Sequence, residues 1–237
     1  MLTLVTASNS GKYFSFLKQL LSNVLNVANR TKTLIRIVVY DIGLSTKEVK
    51  EVEVEFGISP IKFDFSQYPE HVSLEKFNGD NCTYAWKPII IHEVCEKYGG
   101  LMHWMDTRNY YKDFRTLIRI LNVNYIYTPF SCSTVRRWTH PTCLKAMEGE
   151  RFLDKWCRSG GVIAINYNIA WCRDLVREWC ECALRRECIA PEGSDRSNHR
   201  QDQAVLTILY CKYQEKYKFS DINEKIDLII HSELKTS

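Results

Sequence analysis

The sequence predicts an α/β fold built on a mostly parallel central sheet with flanking helices. Four short strand-like runs fall between Leu2 and Met105, and three helical segments alternate with them. Such alternation implies parallel pairing through right-handed crossovers. The second observation is size. With 237 residues, 45% hydrophobic and 25% charged, the chain can bury a sizeable core, which excludes global disorder, collagen and coiled coil.

In chain order, Leu2 to Val5 reads as the first strand, and Thr6-Ala-Ser-Asn-Ser-Gly11 as a polar loop. A crossover helix follows, with Phe14, Leu17, Leu20, Leu21, Val24 and Leu25 on one face. Leu34 to Tyr40 is a β-branched run suited to a strand buried on both faces. Asp41-Ile-Gly-Leu-Ser45 then turns into a short helix from Thr46 to about Phe56, and Ile61 to Phe65 supplies a third strand. Trp86 to Tyr98 reads as a helix, with Pro88 in its first turn and Gly99-Gly100 as its stop. Leu101 to Met105 is the fourth strand and ends at Asp106.

Beyond Asp106 the pattern loosens. A helix is expected near Asp113 to Leu121, a strand near Tyr125 to Thr128, a helix from Pro141 and a strand near Gly161 to Asn166. A long helix from Ile169 to Cys188, a loop to His199 and a final helix from Gln201 to Tyr213 complete the reading. Neither repeats nor linkers divide the chain, so a single domain over 1–237 is expected.

Charge and cysteines narrow the function classes. The net charge of +4 comes without a block of like charges, which argues against nucleic acid as the default partner. The longest stretch free of Lys, Arg, Asp and Glu, Ile120 to Val135, is too short and too polar to span a bilayer. Met1 to Val5 lacks the features of a secretory signal, so the chain is expected to be soluble and cytoplasmic, with mostly reduced thiols. Ten cysteines include no C-x-x-C pair, which disfavours zinc, whereas a local bridge from Cys182 or Cys180 to Cys188 fits the spacing.

In parallel sheets ligands gather at the carboxyl ends of the strands. The loops Thr6 to Gly11, Asp41 to Ser45 and Asp106 to Asn109 should therefore converge. P-loop and dinucleotide fingerprints are absent. Asp106 emerges from a buried strand, where a carboxylate suits Mg²⁺ or Mn²⁺ bridged to a diphosphate, or simply caps a turn. Lys87 enters a helix, where a cation and free amides suit phosphate; a solvated surface lysine is the plainer reading. Asp195-Arg-Ser-Asn-His-Arg-Gln-Asp-Gln203 packs titratable groups ahead of an apolar helix, which Asn198 or Asp202 could merely cap. His140, before Pro141, reads most simply as a helix cap.

Seven phrases in order carry a resemblance. They are the strand, loop and helix from Leu2, Val39-Tyr-Asp-Ile-Gly-Leu-Ser45, Tyr84-Ala-Trp-Lys-Pro-Ile-Ile-Ile91, Trp104-Met-Asp106, Thr139-His-Pro141, Cys188-Ile-Ala-Pro-Glu-Gly193 and His199-Arg-Gln-Asp-Gln203. Together, over roughly residues 2 to 211, they resemble a little-characterised family of glycosyltransferase-like proteins of eukaryotes and large DNA viruses, related to the GT-A nucleotide-diphosphosugar transferases. The resemblance implies a GT-A-like fold with a nucleotide-binding half over 1–109 and an acceptor and catalytic half over 110–237. It further implies a nucleotide-sugar donor, with UDP as the expected nucleotide, a glycan or other hydroxyl acceptor, and Mn²⁺ or Mg²⁺.

On this reading Thr6, Ala7, Ser8, Asn9 and Asp41 lie near the donor's base and ribose, Lys87 and Arg108 near its diphosphate, and Gln203 near the donor. Asp106, also near the diphosphate, and His199 are the expected metal ligands, with His199 alternatively a diphosphate ligand; Asp202 is the acid or base, and Arg108 a second catalytic group. The family's acid-x-acid signature appears as Asp106-Thr-Arg108, so its second acid is missing, and Arg108 can itself neutralise a diphosphate. The rival readings are a catalytically silent module that binds sugar-nucleotide or glycan, and a Cys-rich redox or interaction domain.

Overall fold

The computed structural model describes residues 1–74, 82–222, 226, 228 and 229. The first half follows the expected order: β1 (Leu2–Ser8), α1 (Lys12–Thr31), β2 (Ile35–Asp41), α2 (Thr46–Phe56), β3 (Ile61–Lys62), α3 (Trp86–Tyr98) and β4 (Leu101–Met105). β1 runs three residues further than the apolar pattern suggests, so Thr6, Ala7 and Ser8 are strand residues and the loop starts at Asn9. The third strand shortens to two residues, because Asp64 accepts the Ser66 backbone N–H and starts a 3₁₀ turn over Phe65–Gln67.

The second half adds β5 (Tyr110–Tyr111), α4 (Arg115–Val123), β6 (Ile126–Tyr127), β7 (Phe130–Thr134), α5 (Val135–Trp138) and α6 (Pro141–Ala146). It closes with β8 (Trp156–Arg158), β9 (Val162–Asn166), α7 (Ala170–Ala183), α8 (Arg186–Ile189), α9 (Gln201–Tyr217) and β10 (Leu228–Ile229). The single long helix expected from Ile169 to Cys188 is two helices, interrupted at Leu184 and Arg185. Cys182 is bridged to Cys188 across that break, which resolves the two pairings the spacing left open; the other eight cysteines are free thiols.

Six strands form the main sheet in the order β3-β2-β1-β4-β9-β6. β3, β2, β1 and β4 are parallel, whereas β9 runs antiparallel to both β4 and β6. The sheet is thus mostly parallel, with its antiparallel part supplied by the second half. Side chains alternate between two apolar layers, as the period of two residues requires. Val5, Trp104, Ile163 and Ile165 face a layer containing Ile90, Val94, Leu175 and Trp179 of α3 and α7. Leu4 and Ala164 face the opposite layer with Leu20, Val24, Leu117 and Leu121 of α1 and α4. No helix among the described residues is long and apolar enough to cross a membrane.

Candidate functional site

Four segments distant in sequence meet at the ammonium of Lys87. α3 is apolar on nearly every side and is buried at its first turn, which carries Lys87 inward with Trp86 and Ile90. Lys87 Nζ donates to the Gly160 carbonyl at 2.9 Å and lies 3.0 Å from Asp202 Oδ2 and 3.3 Å from Asp106 Oδ1. The rings of Tyr84 and Trp104 approach the same nitrogen at 5.5 and 5.6 Å. The Lys87 side chain is only 5% exposed. Burial opposes its charge, but Asp106 and Asp202 more than offset that, and its pKa stands above the ordinary lysine value.

The two carboxylates differ in setting. Asp202 lies in the first turn of α9 and is buried; the loss of solvent raises its pKa, which Lys87 only partly reverses and Asp106 reinforces. The residue before it, Gln201, has φ of 35°, a left-handed conformation uncommon for a side-chain-bearing residue. Asp106 follows β4, with its backbone N–H bonded to the Gly161 carbonyl at 2.9 Å and its side chain 38% exposed. Trp104 Nε1 donates to Asp106 Oδ1 at 2.8 Å and fixes the carboxylate's orientation.

Gly160 and Gly161 form the floor of this cluster. A Cβ on Gly160 would stand 2.7 Å from Asp202 Oδ2, and one on Gly161 2.7 Å from Asp106 Oδ2. Only glycine permits so close an approach of backbone to both acids. The pair and Trp104 are the functional residues that sequence reasoning passed over. Two glycines directly ahead of the apolar run Val162 to Asn166 were the available signal.

The remaining expected residues divide into three groups. Thr6 and Ser8 are buried within β1, while Ala7 and Asn9 are half-buried. The loops after β1 and β2 do converge: the Ser10 N–H donates to the Gly43 carbonyl at 3.1 Å, and Asn9 Cβ lies near Gly43. Asp41 Oδ1 accepts the N–H groups of Gly43 and Leu44 at 2.8 and 2.6 Å, which shapes that turn. Gln203 sits beside Asp202, with Oε1 receiving Ser131 Oγ at 3.4 Å and a buried Nε2 that has no hydrogen-bond partner among the described residues. Arg108 is exposed, makes no ion pair among the described residues, and holds its guanidinium 5.2 Å from the Phe16 ring at the start of α1.

Two expectations meet a different geometry. Lys87 is buried, donates to the Gly160 carbonyl and lies between the carboxylates of Asp106 and Asp202, so its ammonium faces protein groups rather than standing open to a phosphate in this arrangement. His199, expected as a metal ligand, is fully buried: Nδ1 accepts the His140 N–H at 3.2 Å, and Nε2 lies 3.0 Å from the Ile189 carbonyl. Desolvation depresses its pKa to about 4, so it is a neutral ring with both nitrogens engaged by backbone. His140 caps α6, its Nδ1 accepting the Thr142 N–H at 3.3 Å.

A divalent cation fits these residues poorly. Asp106 Oδ1 is taken by Trp104 and Lys87, Asp202 is tied to Lys87, His199 has no free lone pair, and position 108 carries a guanidinium. Among the described residues no three His, Cys, Asp or Glu side chains group to hold a metal. Asp106, the more exposed of the two acids, is thus left with few protein partners for an ion that prefers about six oxygen ligands. The expected Mn²⁺ or Mg²⁺ therefore lacks a protein-built site here.

Neither a protein-family model nor a curated protein matches this sequence. Solved structures do match. The galactosyltransferase LgtC in complex with donor and acceptor sugar analogues superposes with a TM-score of 0.53 at 18% identity, over 88% of this chain and 70% of that one. An active-site mutant of LgtC gives 0.54 at 17% identity, over 95% and 85%. The chain has the GT-A glycosyltransferase fold. The bifunctional glycosyltransferase WbbM gives 0.53 at 14% identity over 88% of this chain, which spans only 37% of that protein's length. In the GT-A fold found here, the Lys87 cluster lies at the carboxyl end of β4, where a parallel sheet presents its ligand site.

Proposed function

We propose that the chain transfers a sugar from a nucleoside-diphosphate sugar, with UDP the expected nucleotide, to a hydroxyl group of a glycan or related acceptor. The observation that carries this reading is the convergence of Asp106, Asp202 and Lys87 on a glycine-floored cluster at the strand ends of a GT-A fold. Glycosyl transfer needs negative charge stabilised on the departing diphosphate and positive charge stabilised at the anomeric carbon. Asp202, when ionised, supplies the second, and its raised pKa makes it a better acceptor than an ordinary aspartate for the proton of the incoming hydroxyl. Lys87 orients both acids, and Gly160 and Gly161 let the backbone pass close to Asp202 Oδ2 and Asp106 Oδ2. Thr6 to Asn9 and Asp41 line the neighbouring strand ends, where the base and ribose of the donor fit this reading.

The test is calorimetry against a panel of UDP- and GDP-sugars, followed by chromatography of released nucleoside diphosphate. The proposal requires micromolar to submillimolar binding of one nucleotide class and slow hydrolysis of its sugar. Binding without any turnover would favour the silent binding module, and no nucleotide binding would refute the reading.

A further inference from the structure

The charge on the donor's diphosphate must be met by something, and the cluster does not supply it. With both acids ionised, Lys87, Asp106 and Asp202 sum to one negative charge, and the ammonium is buried between the two carboxylates and the Gly160 carbonyl. A diphosphate brought to this cluster alone would be repelled. The same cluster offers a divalent cation no group of three ligating side chains among the described residues, and Asp106 Oδ1 is already held by Trp104 and Lys87.

Arg108 answers both points. It stands two residues beyond Asp106 on the loop that leaves β4, is exposed, and is held over the Phe16 ring at 5.2 Å, with no carboxylate partner among the described residues. Stacking on an aromatic face restricts a guanidinium while leaving its N–H edge free, the arrangement that suits forked hydrogen bonds to phosphate oxygens. A positive group there also disfavours a metal ion at the neighbouring Asp106. Phe16 belongs to the helix that follows the β1 loop, so Arg108 is held on the side of the sheet where the strand-end loops converge.

We propose that Arg108 neutralises the diphosphate in place of a divalent cation, with Lys87 serving as the fixed internal cation that keeps Asp106 and Asp202 in position. This rests on the nucleotide-sugar reading above. It predicts a donor site whose affinity is independent of Mn²⁺ and Mg²⁺ and falls steeply with salt.

The experiment is calorimetry of UDP, or of GDP if the donor panel selects guanine, with the full chain in EDTA and in Mn²⁺. Wild type, Arg108→Ala and Asp106→Asn are compared, and melting temperatures are recorded in parallel. The expected result is an affinity in EDTA within about twofold of that in Mn²⁺. Arg108→Ala should weaken it by roughly tenfold or more, the scale of lost hydrogen bonds to a charged group, with an unchanged melting temperature. Asp106→Asn should leave metal insensitivity intact. An affinity gain of tenfold or more with Mn²⁺ that Asp106→Asn abolishes would overturn the inference while leaving the donor reading standing. Failure of any nucleoside diphosphate to bind in either buffer would overturn both.

Discussion

Replacing Lys87 by Met keeps most of the side chain's volume and removes its charge, leaving the buried Asp202 without its counter-ion at 3.0 Å. Two independent routes give the cost. Breaking a buried ion pair by removing one partner destabilises by about 3–5 kcal/mol. Alternatively Asp202 takes up a proton, which at pH 7 costs about 4 kcal/mol for a carboxyl whose unfolded pKa is about 3.9, and at pH 5 only about 1.5 kcal/mol. The pH dependence has a definite sign. Burial has already raised the folded pKa of Asp202, and loss of Lys87 raises it further. Between the unfolded and folded values the native state binds the extra proton, so stability falls as pH rises. Urea titrations at pH 5 and pH 7 read this directly, and at pH 7 the melting temperature should drop by about 8–16 °C for a chain of this size. Lys87→Met combined with Asp202→Asn should recover most of the loss, because no buried charge is then orphaned. A loss below about 1 kcal/mol at pH 7, or one equal at both pH values, would refute the assignment of Lys87 as the buried counter-ion.

Three further outcomes are expected. Asp202→Asn should lower sugar transfer by about 100-fold or more with UDP affinity preserved, and a variant retaining a third of wild-type turnover would remove Asp202 from the chemistry. Gly161→Ala places a methyl group 2.7 Å from Asp106 Oδ2 and should cost about 1–3 kcal/mol by overpacking, with transfer falling further than the melting temperature explains. His103 and His199 are buried with pKa values depressed to about 4, so each stays neutral in the fold while the unfolded chain protonates. Their stabilisation is complete above about pH 6.5 and is lost as pH falls towards 4, up to about 3 kcal/mol each. Urea titrations of His199→Gln should show a shallower decline between pH 6.5 and 4.5 than wild type, and an unchanged slope would contradict the buried neutral assignment.

Local signals made the first half legible. β1, α1, β2, α2 and α3 announce themselves through apolar runs, helical spacing and the Gly99-Gly100 stop, and Asp106 at a strand end follows from that order. The rest depended on contacts between distant segments. Nothing local shows that β9 enters the sheet antiparallel beside β4, yet that placement brings Gly160 and Gly161 under the two acids. Lys87 read as a phosphate ligand because a helix entrance and a cation look the same from sequence whether the acids that occupy it come from a substrate or from another helix. His199 shared a polar stretch with Asp202, but burial turned its ring towards the His140 and Ile189 backbone. The break at Leu184 and Arg185 escaped the helical pattern because Cys180, Leu184 and Cys188 keep helical spacing across it.

The insertion of β9 between β4 and β6 bears on how the chain comes into being. During synthesis from the amino end, β4 emerges well before the segment that covers its outer edge. Until then Leu101 to Met105 presents a bare row of backbone donors and acceptors flanked by Trp104 and other side chains that end up buried. Such an edge is a template for another molecule's strand. The fragment 1–109 should accordingly self-associate when expressed alone, and crowded nascent chains could exchange β9 between neighbours. The Lys87 cluster is thus completed late in biogenesis, because its glycine floor directly precedes the strand that seals the sheet.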